Sequence, residues 1–383
     1  MRLLLCSTGL AGHFNPLKPF VEAARERGDE LFMVVPPSLA TEVKELGVAH
    51  YLSDPPDPTK SKELWRRAAR LPHALAARLL DGEFFGRLST EAMLATVESA
   101  CDAFQPDLVL REPCAYAGAV VATRRSISHA QVAISTARTE WGVIGLVAPI
   151  LNDFEDGMEE VLRQTRYLSR LPSSLDPSPF PRTVRYRENA APEVVEPGQW
   201  AAGSRPLIYL TFGSVAGGLD TAESAFRLAI EAVSGLDVRV LVTTGLGFNR
   251  RLLDAVPSNV VVESWIPQAS VFPFASMVLC HGGSGTTYGA LAAGLPIVFV
   301  PMFADQRTNA QLIAVAGAGV VVDVGSKSEP GFRAIEAHDV PRIRAAVLEV
   351  LAESSYAIAA QVIADEIAST GSARDCLGGL SSL

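Results

Sequence analysis

Short runs of aliphatic and β-branched residues recur along this chain, each closed by Gly, Pro or a polar turn and followed by an amphipathic stretch. That alternation constrains the fold more than any other feature, because buried parallel strands read as near-continuous apolar runs where helices cover both faces of a sheet. The pattern predicts an α/β chain. In the first half the strand candidates are Leu3 to Ser7, Glu30 to Val35, Leu108 to Leu110 and Ala130 to Ile134, with helices over Pro16 to Arg27 and Leu88 to Phe104. In the second half they are Leu207 to Thr211, Val238 to Thr243, Val260 to Glu263, Met277 to Cys280, Ile297 to Val300 and Gly319 to Val322. Between the halves, Ser178 to Arg205 loses periodicity and gains Pro179, Pro181, Pro192 and Pro197, as a connection between domains does. At 383 residues the chain is longer than one core comfortably serves. The expected division is an N-terminal domain over 1–197 and a C-terminal domain over 198–365, with a last helix over about 366–383 packing back on the first.

Charge and composition remove several functions. A formal net charge of −9, with no basic patch interleaved with aromatics, argues against nucleic acid, and Arg66 to Arg70 reads as a solvated helix face. No apolar run approaches the roughly 18 residues of a membrane span. Met1 to Ser7 reads as a first buried strand rather than a secretory leader, so a cytoplasmic protein without a membrane partner is expected. The cysteines (Cys6, Cys101, Cys114, Cys280, Cys376) form no C-x-x-C pair and are expected to be buried thiols rather than metal ligands or disulfides. Two apolar regions, Pro55 to Arg87 with Trp65 and Phe85 and an irregular stretch from Glu140 to Leu171 with Trp141, are candidates for shaping an acceptor pocket.

Chemistry-bearing residues concentrate at two strand-to-helix turns. The stronger is Met277 to Cys280 followed by His281-Gly282-Gly283-Ser284-Gly285-Thr286-Thr287. Glycines let a backbone approach a ligand, and the open N–H groups of a helix start, with the Ser284 and Thr286 hydroxyls, suit a diphosphate. Trp265-Ile266-Pro267-Gln268 and Pro301 to Gln306 each follow a predicted strand, and open α/β sheets bind ligands at those carboxyl ends. Trp265 offers a flat face for a nucleobase; Asp305 and Gln306 can hold sugar hydroxyls.

From Phe212-Gly213-Ser214 through Asp305-Gln306, these segments resemble, in order and spacing, the donor site of the GT-B nucleotide-sugar glycosyltransferases, especially the bacterial enzymes that decorate macrolides and enediynes. The resemblance implies two Rossmann-like domains facing each other across a cleft, and inverting transfer of a hexose or deoxyhexose from a nucleotide diphosphate to a hydrophobic small molecule. It implies neither metal nor cofactor. By it, Trp265, Ile266 and Gln268 border the base, His281 with Gly283, Ser284, Gly285 and Thr286 binds the diphosphate, Asp305 and Gln306 bind the sugar, and Phe212, Gly213 and Ser214 border the nucleotide. The plant-type version carries a Glu eight residues after the His to clamp the ribose hydroxyls; here that position is Gly289. A 2′-deoxyribose has no 2′-hydroxyl to hold, so the gap favours a dTDP-sugar over a UDP-sugar.

The other turn is Ser7 to Pro16, with His13 inside it. An imidazole with a pKa near about 6.5 suits removal of the acceptor proton as its oxygen attacks the anomeric carbon. Taken alone a turn histidine is more often a packing residue, but the resembled family places its base in this Gly-x-x-x-His setting, here Gly9 to His13. A carboxylate normally fixes such a base, and the resemblance points to Glu112 rather than Asp107 for that part. A nicotinamide oxidoreductase is disfavoured, since G-x-G-x-x-G is absent and Val35-Pro36-Pro37 lacks a ribose-binding acid. A nucleotide-sugar epimerase on the same scaffold and a non-enzymatic helper remain as rivals. Acceptor identity, pairing into a homodimer and dependence on an auxiliary protein stay open.

Overall fold

The computed structural model describes residues 1–188, 196–213, 221–253, 255–325 and 333–380, except the side chain of His73. The chain divides into two compact units, one built from Met1–Asn189 and Thr370–Leu383, the other from Ala190–Ser369.

The first unit is a seven-stranded sheet of β1 (Arg2–Cys6), β2 (Glu30–Val35), β3 (Ala49–Leu52), β4 (Leu108–Arg111), β5 (Ser128–Val132), β6 (Arg166–Ser169) and β7 (Thr183–Arg185). The order is β3-β2-β1-β4-β5-β6-β7 and every pairing is parallel. Successive side chains of β1 point to opposite faces. Leu3 and Leu5 join the core beneath the helices Lys18–Arg27 and Ala373–Leu380, and Leu4 and Cys6 join that beneath Thr90–Phe104 and Tyr116–Arg124.

The second unit is a six-stranded parallel sheet of β8 (Leu207–Thr211), β9 (Arg239–Thr243), β10 (Val260–Glu263), β11 (Met277–Cys280), β12 (Ile297–Phe299) and β13 (Gly319–Val321), ordered β10-β9-β8-β11-β12-β13. Ile208, Leu210 and Phe212 pack into one core with the helices Ala222–Val233 and Val340–Ala352. In both units the strand order reverses between the first and fourth strands. That reversal opens a crevice at the carboxyl edge, where doubly wound sheets bind ligands.

The pattern misses three strands of the first sheet. Thr183–Arg185 lies inside the Pro-rich stretch read as a linker; it pairs with β6, and Phe180 just before it is buried and stacks on Tyr167 at 4.1 Å. Ala49–Leu52 is an edge strand whose half-exposed, partly polar sequence shows no run, and Arg166–Ser169 has only four residues. The stretch from Glu140 to Leu171, read as irregular, holds most of the continuous helix Ala137–Leu151 and the helix Met158–Gln164. All five cysteines are unpaired and buried. Among the described residues no single helix is long and apolar enough to cross a membrane.

Candidate active site

Each unit places a histidine at its strand-order reversal, in a different chemical setting. In the first unit β1 ends at Cys6, and the chain turns through Ser7 to Leu10 into a short helix, Ala11–Phe14, that carries His13. The adjacent β4 ends at Arg111, so Glu112 is the first residue beyond the sheet. His13 Nδ1 lies 3.1 Å from Glu112 Oε2 and 3.0 Å from Thr8 Oγ1.

The Glu112 carboxylate is fully buried and accepts three further hydrogen bonds. Thr8 donates its backbone N–H at 2.9 Å and its hydroxyl at 2.8 Å to Oε1, and Cys114 N–H donates to Oε2 at 2.7 Å. Burying an ion costs several kcal/mol, and hydrogen bonds to charged groups, at about 1.5–3 kcal/mol each, offset it. Burial alone would push this carboxyl up. The charge of His13, its hydrogen bond and the backbone bonds from Thr8 and Cys114 outweigh it and hold the pKa below the ordinary range. An ionised Glu112 facing Nδ1 keeps the imidazole proton on that nitrogen and leaves the lone pair on Nε2, the form a general base needs.

His13 stacks on Phe85 at 5.2 Å, Phe85 meets Phe84 at 5.0 Å, and Phe84 meets the half-exposed Trp65 at 5.6 Å. A line of rings therefore runs from the surface to His13, carried by the helix Pro58–Ala68 and the π-helical stretch Leu80–Ser89. Trp141 is engaged elsewhere, beneath the Arg163 guanidinium at 4.3 Å and against the edge of Phe180 at 5.0 Å.

Asp107, the alternative acid, sits at the start of β4, where its carboxylate caps the Arg2 N–H at 2.7 Å. His13, Glu112 and Cys114 are close enough to suggest a metal site by distance alone, with ligand atoms within 4.8 Å of one another. The donor set does not fit one. Burial holds the Cys114 thiol well above its usual range, so it is no thiolate, and the Glu112 oxygens are already committed to four hydrogen bonds.

In the second unit β11 delivers His281-Gly282-Gly283 to the start of the helix Ser284–Ala292, whose cap residue Gly283 provides no side-chain bond. The first-turn N–H groups of such a helix have no partner inside it and form an anion site. The turn is shaped by close approach. A Cβ on Gly283 would lie 2.5 Å from His281 Nε2, and one on Gly282, whose φ is +90°, would lie 2.8 Å from the Gln306 carbonyl. Gly213, just beyond β8 with φ +75°, would likewise collide with the His281 ring at 2.9 Å. The Nδ1 of His281 is buried without a hydrogen-bond partner, and burial lowers the ring's pKa to about 4, so it is neutral at physiological pH.

Trp265 stands 57% exposed, as a stacking platform must, whereas Ile266 is buried beneath it in sequence. Gln268 donates to Thr286 Oγ1 at 2.9 Å. Ser284 Oγ reaches Asp305 Oδ2 at 3.3 Å, which gathers the helix start and the Asp305 loop into one cluster. Gln306 points inward: it is buried, and its Oε1 accepts from the Met302 and Phe303 N–H groups at 2.9 and 3.1 Å, so its amide oxygen shapes the loop. Gly285 lies in the first helical turn with open space at its Cβ position, and Ser214 lies outside the described residues.

Two contributors were missed by sequence reasoning. Thr8 lies within the quoted turn but was given no role. Asn309 holds the donor cluster together, its Nδ2 facing the Gly282 carbonyl at 3.1 Å, Ser284 Oγ at 3.2 Å and Asp305 Oδ2 at 3.2 Å. Its signal was available, for a polar residue four positions after Asp305 shares that residue's helix face.

Comparison with known proteins adds the following. Residues 227–383 match the model of the erythromycin biosynthesis protein CIII-like C-terminal domain. The chain is 29% identical to the elloramycin glycosyltransferase of Streptomyces olivaceus over 96% of its own length and 94% of that protein's. It is 28% identical to the L-demethylnoviosyl transferase of Streptomyces niveus over 84% of each. Among solved structures, the glycosyltransferase SnogD from Streptomyces nogalater aligns over 100% of this chain and 99% of its own with TM-score 0.77 and 21% identity. A spinosyn rhamnosyltransferase complexed with thymidine diphosphate aligns over 100% of both chains with TM-score 0.80 and 20% identity.

Proposed function

Because the chain is a natural-product glycosyltransferase of the GT-B fold, we propose that it transfers a hexose or deoxyhexose from a dTDP-sugar to a hydroxyl of a hydrophobic small molecule, with inversion at the anomeric carbon and without a metal. The observation that carries this reading is the buried Glu112 carboxylate 3.1 Å from His13 Nδ1, at the end of a line of aromatic side chains. His13 takes the acceptor proton as the acceptor oxygen bonds to the anomeric carbon and the bond from that carbon to the diphosphate breaks; Glu112 stabilises the imidazolium that results. The second unit binds the donor. Charge grows on the departing diphosphate, and the first-turn N–H groups of Ser284–Ala292 with the Ser284 and Thr286 hydroxyls stand in for a divalent ion. Asp305 holds sugar hydroxyls and Trp265 stacks on the base.

The nucleotide preference rests on Gly289. A Cβ there would lie 2.8 Å from Phe272 Cε2, so ring packing excludes the side chain that would clamp a ribose. Two structural neighbours, the spinosyn rhamnosyltransferase and a Streptomyces glycosyltransferase, were solved with thymidine diphosphate, which fits the same preference. Calorimetric titration of the whole protein with dTDP, UDP and NADH tests the reading. The expected order is dTDP well ahead of UDP and no binding of NADH, with turnover unaffected by EDTA. Equal affinity for UDP overturns the nucleotide assignment, NADH binding alone overturns the class of donor, and EDTA-sensitive turnover overturns the metal-free mechanism.

A further inference from the structure

Beneath the His13–Glu112 pair lies a second chain of buried polar groups that the proposed chemistry does not use. Arg111, the last residue of β4, is completely buried. Its Nη1 donates to the carbonyls of Glu112 at 3.2 Å and Pro113 at 3.0 Å, and its Nη2 donates to Oε1 of Gln131 at 2.8 Å. Gln131 is its register partner on β5. Gln131 Nε2 in turn donates to Glu140 Oε2 at 2.8 Å, and Glu140 Oε1 accepts from the Ile134 and Ser135 N–H groups, both at 2.8 Å.

The polarity of this chain has one solution. A guanidinium only donates, so the Gln131 amide must turn its oxygen to Arg111, which leaves its NH2 for Glu140. Stability alone explains the arrangement poorly. A buried ion is often replaceable by apolar residues at no loss, and Arg111 Nε has no hydrogen-bond partner, so the guanidinium is not placed for its own satisfaction. What its bonds do accomplish is to fix two consecutive carbonyls, in the turn that aims the Glu112 carboxylate and brings the Cys114 N–H onto it.

We propose that Glu140, Gln131 and Arg111 form a positioning relay: Glu140 orients the Gln131 amide, Gln131 holds Arg111, and Arg111 pins the Glu112–Pro113 turn so that Glu112 faces His13. The inference rests on the reading of His13 as the base only for its effect on turnover; the effect on the imidazole itself is independent of it. Burial raises the Glu140 pKa to about 8, only partly opposed by the N–H groups of Ser135, Ile134 and Gln131 that face it. The other titratable groups around Arg111 and Glu112 are Cys6, Cys114 and Tyr116, held protonated by burial, His129, which burial drops to about 3, and Asp81. A residue-specific probe at His13 therefore reads the relay most directly.

The experiment uses the full chain in two near-isosteric variants, Gln131→Met, which cuts both links, and Glu140→Gln, which presents NH2 to NH2 and forces the Gln131 amide to flip. The 15N shifts of the His13 imidazole are followed across pH, with kcat, the donor KM and the dTDP Kd measured alongside. In each variant the His13 titration moves down by about half to one unit and kcat falls about three- to tenfold, since one unit corresponds to a tenfold change. Donor KM and dTDP Kd stay at wild-type values, and the double variant loses no more than the worse single one, as members of one chain do. A folded Gln131→Met or Glu140→Gln protein with a wild-type His13 titration, or losses that add in the double variant, overturns the relay. A shifted titration with undiminished turnover upholds the relay and overturns the base assignment.

Discussion

His13 and His281 occupy the strand-order reversals of two sheets with the same topology, yet their surroundings differ in the feature that decides chemistry. In the first unit the residue just beyond the fourth strand is Glu112, a carboxylate saturated with donors, and the histidine comes from the short helix after the first strand. In the second unit the residue just beyond the corresponding strand is His281 itself, facing the backbone of Thr211 and Gly213 after β8, and burial takes its pKa down to about 4. An imidazolium forming beside Glu112 gains an ion pair; one forming at His281 gains only a buried charge. On the proposed reading, in which His13 is the base and the His281 turn binds the diphosphate, the scaffold is neutral between the two roles and one carboxylate at a strand end separates them.

The largest test crosses the two histidines. His13→Gln and Glu112→Gln are expected to lower kcat by about 10²- to 10⁴-fold, the usual worth of general base catalysis, with the dTDP Kd from calorimetry unmoved. His281→Gln should do the converse, weakening dTDP by about tenfold, roughly one polar contact, while the pH profile of kcat keeps its shape. A His281 variant that shifted the acid limb of that profile would assign the proton transfer to the wrong unit.

Much of this contrast could be read from the sequence. The strand runs of the second sheet are mostly apolar and bounded by turns, and the six read there fall within a residue of β8 to β13 at either end. The Gly-rich turn and Asp305 lie near each other in the sequence and are joined by hydrogen bonds through Ser284. What stayed hidden depends on contacts between distant segments or on burial. Thr8 gains its role only when Glu112, 104 residues away, is folded against it. Gln306 looks like a ligand residue until its amide oxygen is found capping Met302 and Phe303. No periodicity shows that the Arg111 guanidinium turns to the backbone carbonyls of Glu112 and Pro113.

A mid-sized test asks whether the second unit could be turned toward a ribonucleotide by restoring the missing acid. Gly289→Glu must place its Cβ 2.8 Å from Phe272, an aromatic ring packed on Tyr209 rather than the end of a flexible chain. Overpacking of this kind costs about 1–3 kcal/mol. The expected outcome is a melting temperature lower by a few degrees with no gain for UDP. Tighter UDP binding by the single variant would show that the ring yields and that the glycine is no steric bar.

The smallest effect is on acid stability, and it separates the two histidines again. A histidine near 6.5 when unfolded and about 4 when folded binds fewer protons in the native state. The stability associated with His281 is therefore fully present above about pH 6.5 and declines as the pH falls toward 4. Over the 1.5 units down to pH 5 that amounts to at most about 2 kcal/mol at 1.36 kcal/mol per unit. Glu112, whose pKa is depressed, works in the same direction but lower, its contribution being present above the unfolded carboxylate pKa near 4.3 and lost beneath it. Between pH 6.5 and 5 Glu112 stays ionised, whereas His129, which burial drops to about 3, loses stability alongside His281, so the His281 share is read by difference against its own variant. Calorimetric melting at pH 7 and pH 5 should show a smaller acid loss in His281→Gln than in the wild-type protein, by a few degrees, since about 1 kcal/mol moves the midpoint about 2–4 °C in domains of this size. His13→Gln, which removes a histidine that has a carboxylate partner, should leave the loss in place; if the two substitutions behaved alike, the electrostatic difference between the two turns would not be what distinguishes them.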